Sequence, residues 1–277
     1  MIEVKNVTKV YGKKKNTFTA LKNVNLTIPD NTSVAILGKS GSGKSTLMHA
    51  ISGLDKPQKG EVLVDGEDIL RLKARATDKF RANKMAFIFQ SFFVEGGESC
   101  YDNVSLSLET AGVKRSVRKR RIEDALAAVD LADKIKSRAQ DLSGGQKQRL
   151  AIARAIVGEP EILFADEPTG NLDSATSKIV EDLLFDYQKN RGATLIIVTH
   201  DEELASRCQM IVRIKDGEII DTMINSKATS SGTESAKDSA DSVEKFTPKR
   251  RSQTQAKSAK TEAKSTKKTR QKICERS

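Results

Sequence analysis

Hydrophobic residues in this chain concentrate in four short runs, which are residues 33–37, 85–89, 162–165 and 194–198. Near-continuous apolar runs of this length are typical of strands that are buried on both faces, as in a parallel sheet covered by helices. Helices are predicted between the runs, at residues 44–53, 118–129, 146–157 and 174–190. The alternation of strands and helices predicts an α/β fold built on a parallel sheet.

Two other regions break this rhythm. Residues 1–30 and 59–70 alternate apolar and polar positions, which predicts a half-exposed antiparallel β layer beside the main sheet. Residues from about 91 to 156 carry mainly helical patterns, which predicts a separate helical lobe. The chain shows no internal repeat, so we expect residues 1–225 to form a single copy of this domain.

Residues 226–277 differ from the rest of the chain in composition. They are dense in Ser, Thr, Lys and Ala, and they hold 14 of the 48 Lys and Arg residues but only 6 of the 37 Asp and Glu residues. A net charge of +8 out of +11 therefore belongs to this segment. Such a segment buries too little apolar surface to offset the entropy of ordering, which predicts a disordered basic tail. Two roles stay open, a solvated appendage or a contact with anionic lipid.

Composition also excludes several classes of protein. No run of about eighteen apolar residues occurs, so we expect no membrane-spanning helix. The first residues lack the apolar stretch and cleavage site of a secretory signal. Cys100, Cys208 and Cys274 fit neither a zinc site nor a disulfide framework, so reduced cysteines in a cytosolic protein are expected. Because the basic excess lies mostly in the tail, nucleic acid is not an expected partner.

The first apolar run leads into a segment that fits the phosphate-loop pattern G-x-x-x-x-G-K-[ST], between a predicted strand and a predicted helix. Glycines let backbone N–H groups turn toward a phosphate, and the helix N-terminus adds positive potential. We expect the Lys44 ammonium to reach the β- and γ-phosphates and the Ser45 hydroxyl to bind Mg²⁺. The predicted nucleotide-binding residues here are Gly38, Lys39, Ser40, Gly41, Ser42, Gly43, Lys44, Ser45 and Thr46.

An acidic pair, Asp166 and Glu167, follows the apolar run at residues 162–165. The carboxyl ends of parallel strands face ligand sites, so Asp166 is expected to be the second protein contact of Mg²⁺. Glu167 lies one residue further along, where a general base would polarise a water molecule for in-line attack on the γ-phosphate.

A second helix start with affinity for anions is predicted at residues 142–146, which read LSGGQ. This segment resembles the signature motif of ABC ATPases. The resemblance implies an α/β P-loop core with an antiparallel β subdomain and an α-helical subdomain. It also implies that the signature closes over ATP held by a partner subunit, so that ATP joins two copies in a head-to-tail homodimer. The residues concerned are Ser143, Gly144, Gly145 and Gln146.

Four further residues match the same family in the same order along the chain. Tyr11 resembles the aromatic residue that stacks on adenine. Gln90 resembles the glutamine that links Mg²⁺ and the attacking water to the helical subdomain. His200 resembles the switch histidine that contacts the γ-phosphate, and Asp173 lies in a segment that resembles the loop signalling across the dimer. The expected catalytic residues are Lys44, Gln90, Glu167 and His200, and the expected metal ligands are Ser45, Gln90 and Asp166.

Residues 53–66 resemble the branch of the family that contains lipoprotein-release, macrolide-export, antimicrobial-peptide-export and cell-division ATPases. This implies a subunit that uses ATP to power export or extraction of a peptidic or hydrophobic substrate through a separate permease, at the cytoplasmic face of the cell membrane. A mechanical regulator that drives a permease-like partner without moving cargo stays open as the alternative. Residues 91–102 depart from the pattern of that branch, and the permease is expected to dock around residues 90–104.

Overall fold

The structure, a computed structural model, describes residues 1–13 and 16–225. The strands in these ranges are β1 (Ile2–Lys13), β2 (Asn16–Ile28), β3 (Ser33–Leu37), β4 (Lys59–Val64), β5 (Glu67–Asp68), β6 (Met85–Phe89), β7 (Ile162–Asp166), β8 (Thr194–Thr199), β9 (Met210–Lys215) and β10 (Glu218–Ile224). Strands β2–β1–β4–β5 form an antiparallel sheet in that order. The predicted antiparallel layer is therefore present.

A six-stranded sheet in the order β10–β9–β3–β8–β7–β6 forms the centre of the domain. Its five strands from β9 to β6 are parallel, whereas β10 pairs antiparallel with β9 at the edge. All four apolar runs of the sequence lie in this sheet, which confirms the predicted parallel core. The sequence prediction lacks β9, although four of its six residues are apolar and buried.

The helices are α1 (Lys44–Ile51), α2 (Ala74–Lys84), α3 (Cys100–Thr110), α4 (Arg115–Ala128), α5 (Gly144–Ile156), α6 (Ser174–Arg191) and α7 (Glu202–Ser206). The four predicted helices are α1, α4, α5 and α6, with ends that shift by a few residues because capping decides them. Helix α2 is absent from the prediction because Thr77 is its one buried residue, so no apolar stripe marks it.

Two apolar cores lie on opposite faces of the parallel sheet. Leu163 and Ala165 of β7 face the core shared with helices α3 to α6. Phe164, between them, faces the core shared with α1 and the antiparallel sheet, where its ring stacks on Phe87 at 5.1 Å. Alternate residues of one strand thus hold two layers together, because side chains point to opposite faces in turn. This arrangement places the carboxyl ends of β3, β6, β7 and β8 at one edge.

Cys100 and Cys208 are buried and free. Burial raises the pKa of the Cys208 thiol to about 12, so this side chain packs as a neutral apolar group. Cys274 and the predicted disordered tail at residues 226–277 lie outside the described residues. No helix within the described ranges combines the length and the apolar character needed to cross a bilayer.

Candidate nucleotide site

The phosphate loop connects β3 to α1 at the centre of the sheet edge. Gly41 and Gly43 have φ angles of +78° and +105°, which residues with a side chain rarely adopt. A Cβ on Gly38 would lie 2.4 Å from the carbonyl oxygen of Ile214, so the chain passes the neighbouring strand too closely for any other residue. The loop therefore wraps tightly and ends at Lys44, the first residue of α1.

Lys44 is largely buried within this loop. Its Nζ donates to the carbonyl oxygens of Gly38 and Lys39 at 2.8 and 3.2 Å, and lies 3.9 Å from the Glu167 carboxylate. Ser42 is also buried, and its Oγ has no hydrogen-bond partner in the part of the chain that the structure describes. A buried cation at a helix N-terminus suits a bound phosphate, which supplies acceptor oxygens to the ammonium and to the loop N–H groups.

Ser45 and Asp166 meet where α1 faces the end of β7. The Ser45 Oγ lies 3.3 Å from the Asp166 carboxylate. Burial raises the pKa of Asp166 above its usual range. A hydroxyl and a carboxylate oxygen at this spacing match the hard ligands that Mg²⁺ takes beside nucleotide phosphates. Gln90, which follows β6, lines the same cavity, so the structure brings the three predicted metal ligands together.

Glu167 adopts a left-handed conformation, with φ of +46°. Its N–H donates to the Val198 carbonyl at 2.8 Å, and its own carbonyl accepts from the Gly170 N–H at 3.1 Å. The His200 Nδ1 lies 3.0 Å from both oxygens of the Glu167 carboxylate. A ring that donates from Nδ1 leaves Nε2 as an acceptor, or as a second donor when the ring is protonated. The structure thus places the His200 ring within hydrogen-bond distance of the Glu167 carboxylate.

These groups surround one open cavity of about 790 Å³. Its lining includes twelve of the predicted site residues: Tyr11, Lys39, Ser40, Gly41, Gly43, Lys44, Ser45, Thr46, Gln90, Asp166, Glu167 and His200. Burial and a hydrogen bond to Asp55 raise the pKa of Tyr11, whose hydroxyl donates to that carboxylate at 2.7 Å.

Phe18 also lines the cavity, and sequence reasoning missed it. It lies directly opposite Tyr11 in the pairing of β1 with β2, and it is 62% exposed. The sequence indicated Phe18 only by its position, as an aromatic residue in an otherwise polar stretch of a predicted strand. Only the strand register shows that two aromatic side chains share one rim.

Ser143, Gly144, Gly145, Gln146 and Asp173 do not line this cavity. Ser143 caps α5, accepting from the Gln146 N–H at 3.3 Å, while the Gln146 side chain accepts from the Ser143 N–H at 3.0 Å. A Cβ on Gly145 would lie 2.4 Å from the Thr176 side chain. Thr176 is in turn held by Asp173, the N-cap of α6. The LSGGQ segment therefore packs against the start of α6, on a surface separate from the phosphate loop.

Comparison with known proteins matches this geometry to a family. Residues 21–170 match the ABC transporter family. The lipoprotein-releasing system ATP-binding protein LolD of Geobacter metallireducens is 42% identical over 220 residues, covering 79% of this chain and 98% of that protein. The uncharacterized ABC transporter ATP-binding protein YknY of Bacillus subtilis is 42% identical over 220 residues, covering 79% and 95%. The dimeric, post-hydrolysis structure of the ATP-binding cassette MJ0796 with ADP and Pi matches with a TM-score of 0.75 and 38% identity, covering 81% of this chain and 99% of that chain.

The parallel sheet, the phosphate loop and the acidic pair define a P-loop nucleotide-binding protein. The chain belongs to the ABC transporter family. It is the ATP-binding and ATP-hydrolysing subunit of an ABC transporter. The predicted fold, enzyme class and branch of the family are thereby confirmed.

Proposed function

We propose that ATP binds in the 790 Å³ cavity and that Glu167 activates the attacking water. The convergence of a buried ammonium, the half-buried Asp166 carboxylate and the Glu167–His200 pair at the end of one sheet carries this proposal. The loop N–H groups and Lys44 bind the phosphates, and Tyr11 and Phe18 stack on the adenine.

Ser45 and Asp166 hold Mg²⁺, with Gln90 beside them. When bound, Mg²⁺ neutralises charge that develops on the transferred phosphoryl group. The contact at 3.0 Å lets His200 orient the Glu167 carboxylate. In its protonated form, the ring also donates from Nε2 toward the γ-phosphate, which is the role expected from the family resemblance.

We further propose that the working unit is a head-to-tail homodimer in which the LSGGQ segment of each subunit completes the site of its partner. The separate position of that segment in one chain and the dimeric state of the related MJ0796 cassette support this proposal. Each site then needs residues from two chains.

The dimer is tested with Glu167→Gln, which removes the base but keeps the shape of the side chain. In sedimentation with ATP and Mg²⁺, we expect this variant to form a stable dimer that turns over at least about a hundredfold more slowly than the unchanged chain. Lys44→Ala, which lacks the phosphate-binding cation, is the matched control and should stay monomeric. A Glu167→Gln chain that remains a monomer with bound ATP would refute the shared site.

A groove between the sheet core and the helical lobe is the proposed docking site for a membrane permease. It encloses about 310 Å³ and is lined by residues of α2, β6, α3 and α5, which lie outside the expected segment at 90–104. Leu106 lines it and is 50% exposed, which suits an apolar helix laid into a groove.

Arg154 connects this groove to the loop that follows Gln90. Its side chain lines the groove, and its guanidinium donates to the carbonyl oxygens of Phe93 and Phe92 at 2.6 and 3.2 Å. Burial lowers the pKa of Arg154, although the group stays charged. A movement of Gln90 toward bound nucleotide would therefore shift the groove wall as a unit, which couples ATP binding to the permease.

Glu95 and Glu98 lie on the exposed rim of that loop and could pair with basic residues of a permease helix. Reversal of both charges, Glu95→Lys with Glu98→Lys, should leave the basal ATPase rate unchanged and abolish co-purification of the permease from native membranes. Glu67→Lys with Glu218→Lys makes an equal change elsewhere on the surface and should retain the permease. Normal co-purification with the rim variant would place the docking site elsewhere.

The relatives point to the substrate class. LolD proteins are named as lipoprotein-releasing ATP-binding proteins, and we infer that this chain powers extraction or export of a hydrophobic or peptidic substrate. Residues 1–225 form the ATPase domain, bound at the cytoplasmic face of the membrane through the permease. Mass spectrometry of the co-purified complex identifies that permease. A partner that lacks membrane spans would contradict the proposal.

A further inference from the structure

Gln148 is a fully buried polar residue in α5, the helix that begins with the LSGGQ segment. Its Nε2 donates to the carbonyl oxygen of Pro168 at 2.6 Å. Its Oε1 has no hydrogen-bond partner among the residues that the structure describes. A buried acceptor without a partner destabilises a fold. Apolar packing alone therefore does not account for a glutamine here, and its hydrogen bond to Pro168 is the interaction that distinguishes it from a leucine of similar volume.

The bond from Gln148 ends next to Glu167. Pro168 has no N–H, so its carbonyl is its one backbone hydrogen-bonding group, and Gln148 occupies it. Glu167 itself is in the left-handed region, which is strained for a residue with a side chain and persists only where neighbours hold it. On its other side, Glu167 is held by the carbonyl of Val198 in β8.

The Glu167 segment is thus tied to two bodies, the sheet core through Val198 and the LSGGQ helix through Gln148. We propose that Gln148 is a positioning residue that transmits the position of α5 to the Glu167 carboxylate. When the LSGGQ segment engages ATP in the partner subunit, α5 moves and Gln148 carries Pro168 with it. The base of one site is then best aligned when the opposite site is occupied, and an empty opposite site slows turnover without abolishing it. This inference rests on the proposed role of Glu167 as the base.

The central test is Gln148→Leu, which keeps the volume and removes both the donor and the unpaired acceptor. We expect kcat for ATP to fall about tenfold, because small displacements of a catalytic group have effects of this size. The KM for ATP should stay within about twofold, since no contact with the nucleotide is removed. The melting temperature should change little, because the unpaired acceptor of Gln148 is lost while the carbonyl of Pro168 is left without its donor. A purely structural role predicts the reverse, a lower melting temperature with little change in kcat.

Arg149→Met is the matched control in the same helix. The Arg149 guanidinium donates to the carbonyl of Val129 and the carboxylate of Asp130 at 3.1 and 2.9 Å, within the helical lobe. Its loss should lower the melting temperature and leave kcat within about twofold when assayed well below the transition. If both variants lose kcat equally, Gln148 has no special position and the inference fails.

A double variant separates this inference from the proposed function. Single-turnover rates are measured for Glu167→Gln with and without Gln148→Leu. Since Gln148 acts through Glu167, its replacement should cause no further loss once the base is gone. Two losses that multiply would overturn the inference, as would a Gln148→Leu chain with kcat within about twofold of the unchanged chain. A Glu167→Gln chain that hydrolyses ATP normally would instead refute the role of Glu167. If Gln148→Leu fails to fold, Gln148→Met makes the same test.

Discussion

The phosphate loop and the LSGGQ segment are two glycine-rich helix starts with opposite surroundings. The loop at Gly38 to Thr46 meets Asp166, Glu167 and His200 in one cavity of the same chain. The LSGGQ segment packs against Thr176 and does not line that cavity. In the proposed homodimer, one chain therefore supplies the phosphate-binding half of a site internally and presents the LSGGQ half to its partner on a separate surface. A helix N-terminus by itself attracts an anion. The residues packed around it determine whether that anion is bound by the same chain or by another chain.

The largest expected effect on the ATPase rate comes from inactivating the phosphate loop in one chain and the LSGGQ segment in another. Lys44→Ala and Ser143→Arg should each abolish turnover, the first by removing the phosphate-binding charge and the second by obstructing the shared interface. Mixed in equal amounts, the two variants should recover at most about a quarter of the unchanged rate, because half of the dimers are mixed and each has one complete site. The opposite site of a mixed dimer is empty, so the proposed Gln148 link would lower this recovery by up to about tenfold. Steady-state ATPase assays across mixing ratios measure this recovery.

Circular dichroism of each single variant controls for misfolding, because loss of the Ser143 cap also weakens α5. A mixture as inactive as its components would mean that the LSGGQ segment does not act in the partner site. The comparison between the two regions would then fail.

A smaller effect tests the adenine rim of the cavity. Tyr11→Ala and Phe18→Ala should each raise the KM for ATP by about five- to tenfold with little change in kcat, because stacking on a base contributes about 1–3 kcal/mol. Steady-state kinetics measure both constants. Met223→Ala, an exposed residue on β10 far from the cavity, is the control and should change neither. If Phe18→Ala behaves like this control, Phe18 only borders the site.

The smallest effect is expected from the basic tail, which we predict to be dispensable for catalysis. Truncation after Asn225 should leave the ATPase rate within about twofold, because both halves of the site lie in residues 1–225. Co-flotation with anionic liposomes tests the lipid contact. Equal flotation of the full-length and truncated chains would assign the tail to a solvated appendage, and reduced flotation of the truncated chain would establish the lipid contact.

Residues whose chemistry depends on their neighbours in sequence were predictable. The phosphate loop and the Asp166–Glu167 pair each follow a continuous apolar run, and such runs become parallel strands whose carboxyl ends form ligand sites. Helix α2 was not predictable, since its amphipathic signal is missing where only Thr77 is buried. Phe18 and Gln148 were not predictable because each acts on a residue distant in sequence, Tyr11 through strand register and Pro168 through helix packing.

The sequence by itself therefore determined the local features of the site. These are the loop whose backbone N–H groups bind phosphate, the carboxylates that follow a buried strand, and the helix that begins at the LSGGQ segment. These follow from glycine conformation, capping and hydrophobic periodicity, which act over a few residues. Tertiary structure decided which of these features line the same cavity. It brought His200 within hydrogen-bond distance of Glu167, set Phe18 beside Tyr11 and left Ser143 outside the cavity that Lys44 lines. The physical reason is that long-range contacts depend on how sheets and helices pack as whole bodies, and no short pattern in the sequence records that packing.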